Sequence, residues 1–155
     1  MITLVAQQLE RTCLWLLATG FALLIATVTL QVASRNLFKV PIIWTLDVAQ
    51  LLFSWLIFLG AAVAFRRGGH YAIDIIPEHW AGISAGVNLV GIVLSGLVIF
   101  VLVYFGWDFT RIGLTRTAPA LEISEAWYFL PIPLGGAMMA FFLVESSLKL
   151  FESQR

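Results

Sequence analysis

The chain has 155 residues, 61% of them hydrophobic and only 12% charged, and its nine basic and nine acidic residues cancel. A soluble domain of this length would carry about twice that charged fraction, and zero net charge offers nothing to a nucleic acid or another polyanion. A single cysteine, Cys13, excludes an internal disulfide and any multi-thiolate metal site.

The composition fits one all-α membrane domain, 1–155, with four transmembrane helices at about 13–34, 48–65, 80–107 and 127–144. In the first span, V-A-S before Arg35 loosely matches a signal-peptide cleavage site. The start lacks a basic n-region, however, and the apolar run is too long for an h-region, so the helix is expected to be retained. Ala18, Ala22, Ala26, Thr29 and Ala33 form a small-residue stripe that predicts close packing along one face. A short connection follows from Arg35 to Thr45. Arg35, Lys39, Trp44 and Asp47 are the residue types that anchor a helix end at a membrane surface. The alternative is that Arg35 or Lys39 pairs with Asp47 or with a partner subunit.

The second span, Val48 to Phe65, is uncharged and roughly long enough to cross a hydrocarbon core. Gly60 and Ala64 stand four apart, a pair that lets another helix approach. Arg66 and Arg67 mark the far interface, and Gly68-Gly69 is expected to end the helix through left-handed backbone. His70, Asp74 and Glu78 would share one face of a helix, but Gly69 and Pro77 argue against a continuous one. A solvated or headgroup-level loop is therefore expected over Tyr71 to His79, with a short interfacial segment as the alternative, and no metal site.

Trp80 to Trp107 contains no ionisable residue and would stretch to about 40 Å as a helix. That exceeds a bilayer core of about 30 Å, so this span must tilt, kink or project. Gly82 and Gly86 form a G-x-x-x-G, while Ser84, Asn88, Gly91 and Ser95 line another face. Asn88 is the one strongly polar side chain in the span. An interhelical hydrogen bond is its default role, with a place in a substrate path as the alternative.

Asp108 to Ala126 reads as the longest loop, with Ser124 as a helix cap and Glu125 beside the positive end of the dipole. In the fourth span Pro131 and Pro133 free the carbonyls of Trp127 and Phe129. At membrane depth those carbonyls must be buried in protein, meet water or find other donors. Glu145 to Arg155 reads as a short polar tail. Four spans place both termini on one side, and Arg66-Arg67 flush against a helix end points to the cytoplasm for both.

The order Arg35, Phe38, Trp44 and Asp47 (W-x-x-acid), Trp55, G-A-A at Gly60 to Ala62, and H-x-x-x-D at His70 and Asp74 continues into Y-x-x-P-x-x-x-G at Tyr128, Pro131 and Gly135. Taken together it resembles the small membrane subunit, the Q subunit, of TRAP transporters, the tripartite ATP-independent periplasmic uptake systems of bacteria. The family more often has Glu where this chain has Asp47. The resemblance implies a non-catalytic permease subunit of the bacterial inner membrane. Its partners would be a large M subunit, which moves an organic acid anion by a Na⁺-driven elevator motion, and a periplasmic substrate-binding protein. It also implies that Na⁺ coupling belongs to the partner subunit, with no cofactor in this chain. The surfaces at 35–45 and 108–126 would face the binding protein.

The residues themselves agree in part. No Asp, Glu, Lys, Arg or His lies inside any of the four spans, whereas carriers and proton pumps usually keep such groups at membrane depth. The alternative is the membrane anchor of a redox enzyme complex, although a bis-histidine haem would need histidines in facing helices. Candidate helix-packing or partner-interface residues are Arg35, Trp44, Asp47, Trp55, Gly60, Ala64, Asn88 and Gly91. Arg66, Arg67, His70 and Asp74 are the candidate interfacial polar groups. No catalytic, cofactor-binding, metal or substrate-binding residue is expected.

Overall fold

The computed structural model describes residues 2–37, 39, 40, 42–68 and 81–153, with side chains over 4–37, 39, 40, 42–68 and 90–147. Five helices occupy most of them: α1 (Ile2–Leu37), α2 (Trp44–Gly68), α3 (Ala81–Gly113), α4 (Ala126–Phe129) and α5 (Pro131–Ser153). With α4 and α5 taken as one, four are long and apolar enough to cross a membrane.

The helices run well past the apolar spans. α1 begins eleven residues before Cys13, because Gln7, Gln8, Glu10 and Arg11 are good helix formers in or out of lipid. Asp108 and Arg111 lie on α3 rather than in a loop, and the tail beyond Glu145 continues α5 to Ser153. With 36 and 33 residues, α1 and α3 extend about 54 and 50 Å, so both tilt or project beyond a bilayer core. α2 ends at Gly68, but no glycine among the described residues has a positive φ. The stretch 69–80, with His70, Asp74 and the expected loop, lies outside the described residues.

The long helices pack as a row in the order α1, α2, α5, α3, with α4 bridging α3 and α2. α5 is the inner helix. Its Pro131, Gly135, Met139, Phe142 and Glu145 recur at helical spacing and are all buried. Close approach is set by glycines. A Cβ on Gly135 would lie 2.9 Å from the Phe58 carbonyl oxygen of α2, and one on Gly136 would lie 2.9 Å from Val103 of α3. On α3, a Cβ at Gly106 would come within 2.8 Å of Ile132. The outer helices are less embedded: Ala18, Ala22, Ala26 and Thr29 are exposed, so the small stripe of α1 faces away from its own bundle. α1 instead sets Gly20 against Leu56 of α2, where a Cβ would meet that side chain at 3.2 Å.

This arrangement leaves much surface uncovered. The accessible area is 10789 Å², against about 7,800 Å² for a compact globular chain of 17.2 kDa. The excess is largely apolar, with Leu23, Val93, Leu97, Phe100 and Phe105 each more than half exposed.

Candidate functional site

Three polar constructions hold the row together, one at each end and one at the helix break. The first joins the ends of α1, α2 and α5. Arg66 donates through Nε and Nη2 to the two carboxylate oxygens of Glu145, at 3.0 and 3.1 Å, and through Nη1 to Glu10. Arg67 Nε donates to the other Glu10 oxygen at 2.7 Å. The Arg66 guanidinium also lies 5.4 Å from the centroid of Phe142, within range of a cation–π contact. Glu145 is 3% exposed. Two arginines and two glutamates cancel, which lets the cluster sit against the Ala6, Ala62, Ile99, Met139 and Phe142 core without an uncompensated charge. The forked guanidinium suits this better than an ammonium, because it meets a carboxylate with two parallel hydrogen bonds.

At the opposite end the 114–125 loop folds back on itself and onto α2. Thr117 and Ser124 form an isolated antiparallel bridge, and Ala118 N–H donates to Ile123 O at 2.8 Å. The turn is closed by Glu122, whose φ of 53° is the left-handed region that an ordinary side chain seldom adopts. Asp47 Oδ2 accepts from the amides of Ala120 and Leu121, at 2.9 and 3.2 Å. A carboxylate satisfies two adjacent loop amides well, because each bond is charge-assisted. The Arg35–Asp47 pair is not formed. The ion pairs among the described residues are those of the first cluster, and Arg35 is exposed. Ser124 is not the N-cap of α4, a position held by Glu125, but its hydroxyl still accepts from Ala126 N–H and donates to Gly113 O.

The third construction answers the proline break. Pro131 has no N–H to give to the Trp127 carbonyl, and Trp55 Nε1 of α2 donates to that oxygen at 3.1 Å. One residue earlier on α2, Ser54 Oγ donates to the Tyr128 carbonyl. The Trp127 carbonyl that Pro131 leaves without its helical donor is thus taken by the neighbouring helix, and α4 and α5 are docked on α2 by side-chain donors as well as by packing.

The candidate residues therefore distribute as follows. Asp47, Trp55, Arg66 and Arg67 each take part in one of these constructions. Trp44 is exposed at the start of α2. Gly60 touches only the tip of Leu17, at 3.8 Å from its would-be Cβ, Ala64 is exposed, and Gly91 has nothing within 4 Å. Asn88 lies on the α3 backbone, and its side chain, like His70 and Asp74, is outside the described residues. Sequence reasoning missed Glu10 and Glu145. Glu145 was detectable as a charge on the apolar stripe of α5, three residues after Phe142. Among the described residues no group of three or more His, Cys, Asp or Glu gathers as a metal site.

A row of four apolar helices, pinned at polar ends and uncharged through its middle, defines a multi-pass membrane subunit built for helix contacts. The family profile described as tripartite ATP-independent periplasmic transporters, DctQ component, matches residues 24–153. The chain belongs to that family, whose members are small permease components of transporters and not enzymes. It is 30% identical over 136 residues to the sialic acid TRAP transporter small permease protein SiaQ of Vibrio cholerae, covering 84% of this chain and 76% of that one. It is 29% identical over 136 residues to the sialic acid TRAP transporter permease protein SiaT of Haemophilus influenzae, covering 85% of this chain but only 22% of SiaT. Against the C4-dicarboxylate TRAP transporter small permease protein DctQ of Rhodobacter capsulatus it is 27% identical over 112 residues, 66% of this chain and 46% of that one.

Proposed function

We propose that this chain braces the large M subunit of a TRAP transporter in the bacterial inner membrane, with both termini in the cytoplasm. The row of helices carries the proposal: it leaves two broad apolar faces and the small-residue stripe of α1 turned outward, which suits a static partner for a larger helical protein. The likeness to SiaT supports it too, because there a segment similar to this chain is continuous with a much longer polypeptide. Substrate and Na⁺ sites then belong to the M subunit, which moves its cargo by an elevator motion while this subunit stays fixed. The cargo is an organic acid anion, the class that includes the sialic acid and C4-dicarboxylates in the relatives' names. A periplasmic binding protein delivers it to the end formed by 35–45 and the 114–125 loop. No cofactor is needed in this chain. Purification of the tagged chain from its native membrane, with partners identified by mass spectrometry, tests the reading. The expected result is a large polytopic permease. Copurifying redox subunits with haem absorption or bound quinone would overturn it.

A further inference from the structure

We propose that the cleft between the end of α1 and the head of α2 holds one anionic glycerophospholipid, with its phosphate on Arg35 and an acyl chain against Leu46. The cleft encloses about 200 Å³ and is lined by Gln31 and Arg35 of α1, by Ile42 and Ile43 of the connection, and by Leu46 of α2. The turn between the helices builds it. α1 stops at Leu37, Lys39 takes a left-handed φ of 56°, and Val40 N–H returns to the Ser34 carbonyl at 3.3 Å. The chain is thereby folded back beside the last turns of α1, where Gln31 and Arg35 stand four apart on one face.

The depth of the cleft follows from Trp44, the neighbour of Ile43, which is exposed at the head of α2. Exposed tryptophans beside an apolar span settle at the boundary between lipid and water. Arg35 therefore stands at headgroup depth, while Gln31 and Leu46 lie one turn further along their helices toward the hydrocarbon.

Charge selects the occupant. Arg35 is exposed and makes no ion pair among the described residues. Among those residues no acidic side chain lines the cleft, so nothing there receives the amine of a zwitterionic headgroup. Lys39, exposed on the same connection, adds to the positive potential. A basic side chain over an apolar cleft between spans is the arrangement that recognises an anionic headgroup. The guanidinium fork meets two phosphate oxygens at once, and the Gln31 amide is placed to donate to an ester carbonyl. The walls of Ile42, Ile43 and Leu46 suit an acyl chain and give a free phosphate nothing to hold. The assignment rests on the membrane location of this chain and not on its partner.

The test uses the full chain, delipidated in detergent and titrated with phosphatidylglycerol or phosphatidylcholine, with bound lipid counted by native mass spectrometry. One phosphatidylglycerol per chain should be retained in preference to phosphatidylcholine. Arg35→Gln should weaken that binding about fivefold, the worth of one basic residue at an anionic membrane surface, and Arg35→Lys should restore part of it. Leu46→Asn should weaken it through the acyl chain alone. Arg111→Gln is the control: Arg111 is also exposed, on α3 over Trp107, and its loss should leave binding unchanged. An equal loss with Arg111→Gln would overturn the proposal by showing a diffuse attraction without a site. Equal retention of the two lipids would also overturn it, as would displacement of the lipid by soluble glycerol phosphate, which would mark a site for free anions.

Discussion

Trp55 is the residue whose contact most changes how the sequence reads. The two prolines in P-I-P announced orphan carbonyls, and that much needed only the chemistry of proline. The donor that reaches the Trp127 carbonyl lies 72 residues away on α2, and no local pattern links the two. Trp55→Phe keeps an aromatic ring but removes the indole N–H. Losing that hydrogen bond should destabilise the chain by about 0.5–1.5 kcal/mol, read as a lower Tm in detergent. Trp44→Phe is the control, since Trp44 is exposed and should change stability by no more than about 0.5 kcal/mol. Equal effects at the two positions would remove the hydrogen bond from the account. Asp47 illustrates the same limit. Its position at a helix start was legible, but its partners are loop amides whose place depends on the folded 114–125 turn, so an ion pair with Arg35 looked equally reasonable.

Between elements, apolar length marked four crossings but not the helix ends, because hydropathy records lipid depth and helices continue through polar residues on either side. Small residues were equally ambiguous. Gly60, Ala64 and Gly91 follow the spacing of close contacts, yet among the described residues the tight approaches are at Gly106, Gly113, Gly135 and Gly136. Spacing shows that a face is smooth, and only the fold decides whether a neighbour covers it. Gly135→Ala should destabilise by about 1–3 kcal/mol, because its Cβ would meet the Phe58 backbone oxygen, which cannot rotate away. Gly91→Ala should be neutral or stabilising by up to about 1 kcal/mol in the isolated chain, since helix propensity favours alanine and nothing opposes the methyl. Thermal unfolding of the two variants decides it, and a reversed order would contradict the row packing.

At the scale of the molecule, the charge cluster ties the outermost helix to the inner one. Arg66 holds both carboxylate oxygens of the buried Glu145, so Arg66→Met alone should destabilise by about 3–5 kcal/mol, while Arg66→Met with Glu145→Met should lose less than the single change. Strict additivity in that cycle would mean that the cluster is only a surface association. The transport role depends on what lies between the polar ends. A chain without an ionisable group at membrane depth has few means of holding an organic anion, and its polar inventory there, mainly Ser54, Ser84, Asn88, Ser95 and the threonines of α1, is what helix contacts use. Four of those threonine and serine hydroxyls already return to backbone: Thr19 to Trp15, Thr27 to Leu23, Ser54 to Tyr128 and Thr12 to Gln8. Reconstituted alone with a binding protein, substrate and a Na⁺ gradient, the chain should give no uptake above empty liposomes. Adding the large subunit should restore transport, and omitting this chain should abolish it by removing the scaffold. Asn88→Ala in the assembled complex sharpens the test: it should lower stability at most, leaving the apparent substrate and Na⁺ affinities unchanged. Flux through this chain alone would overturn the scaffold role, and a large shift in Na⁺ affinity on changing Asn88 would put α3 at the ion site.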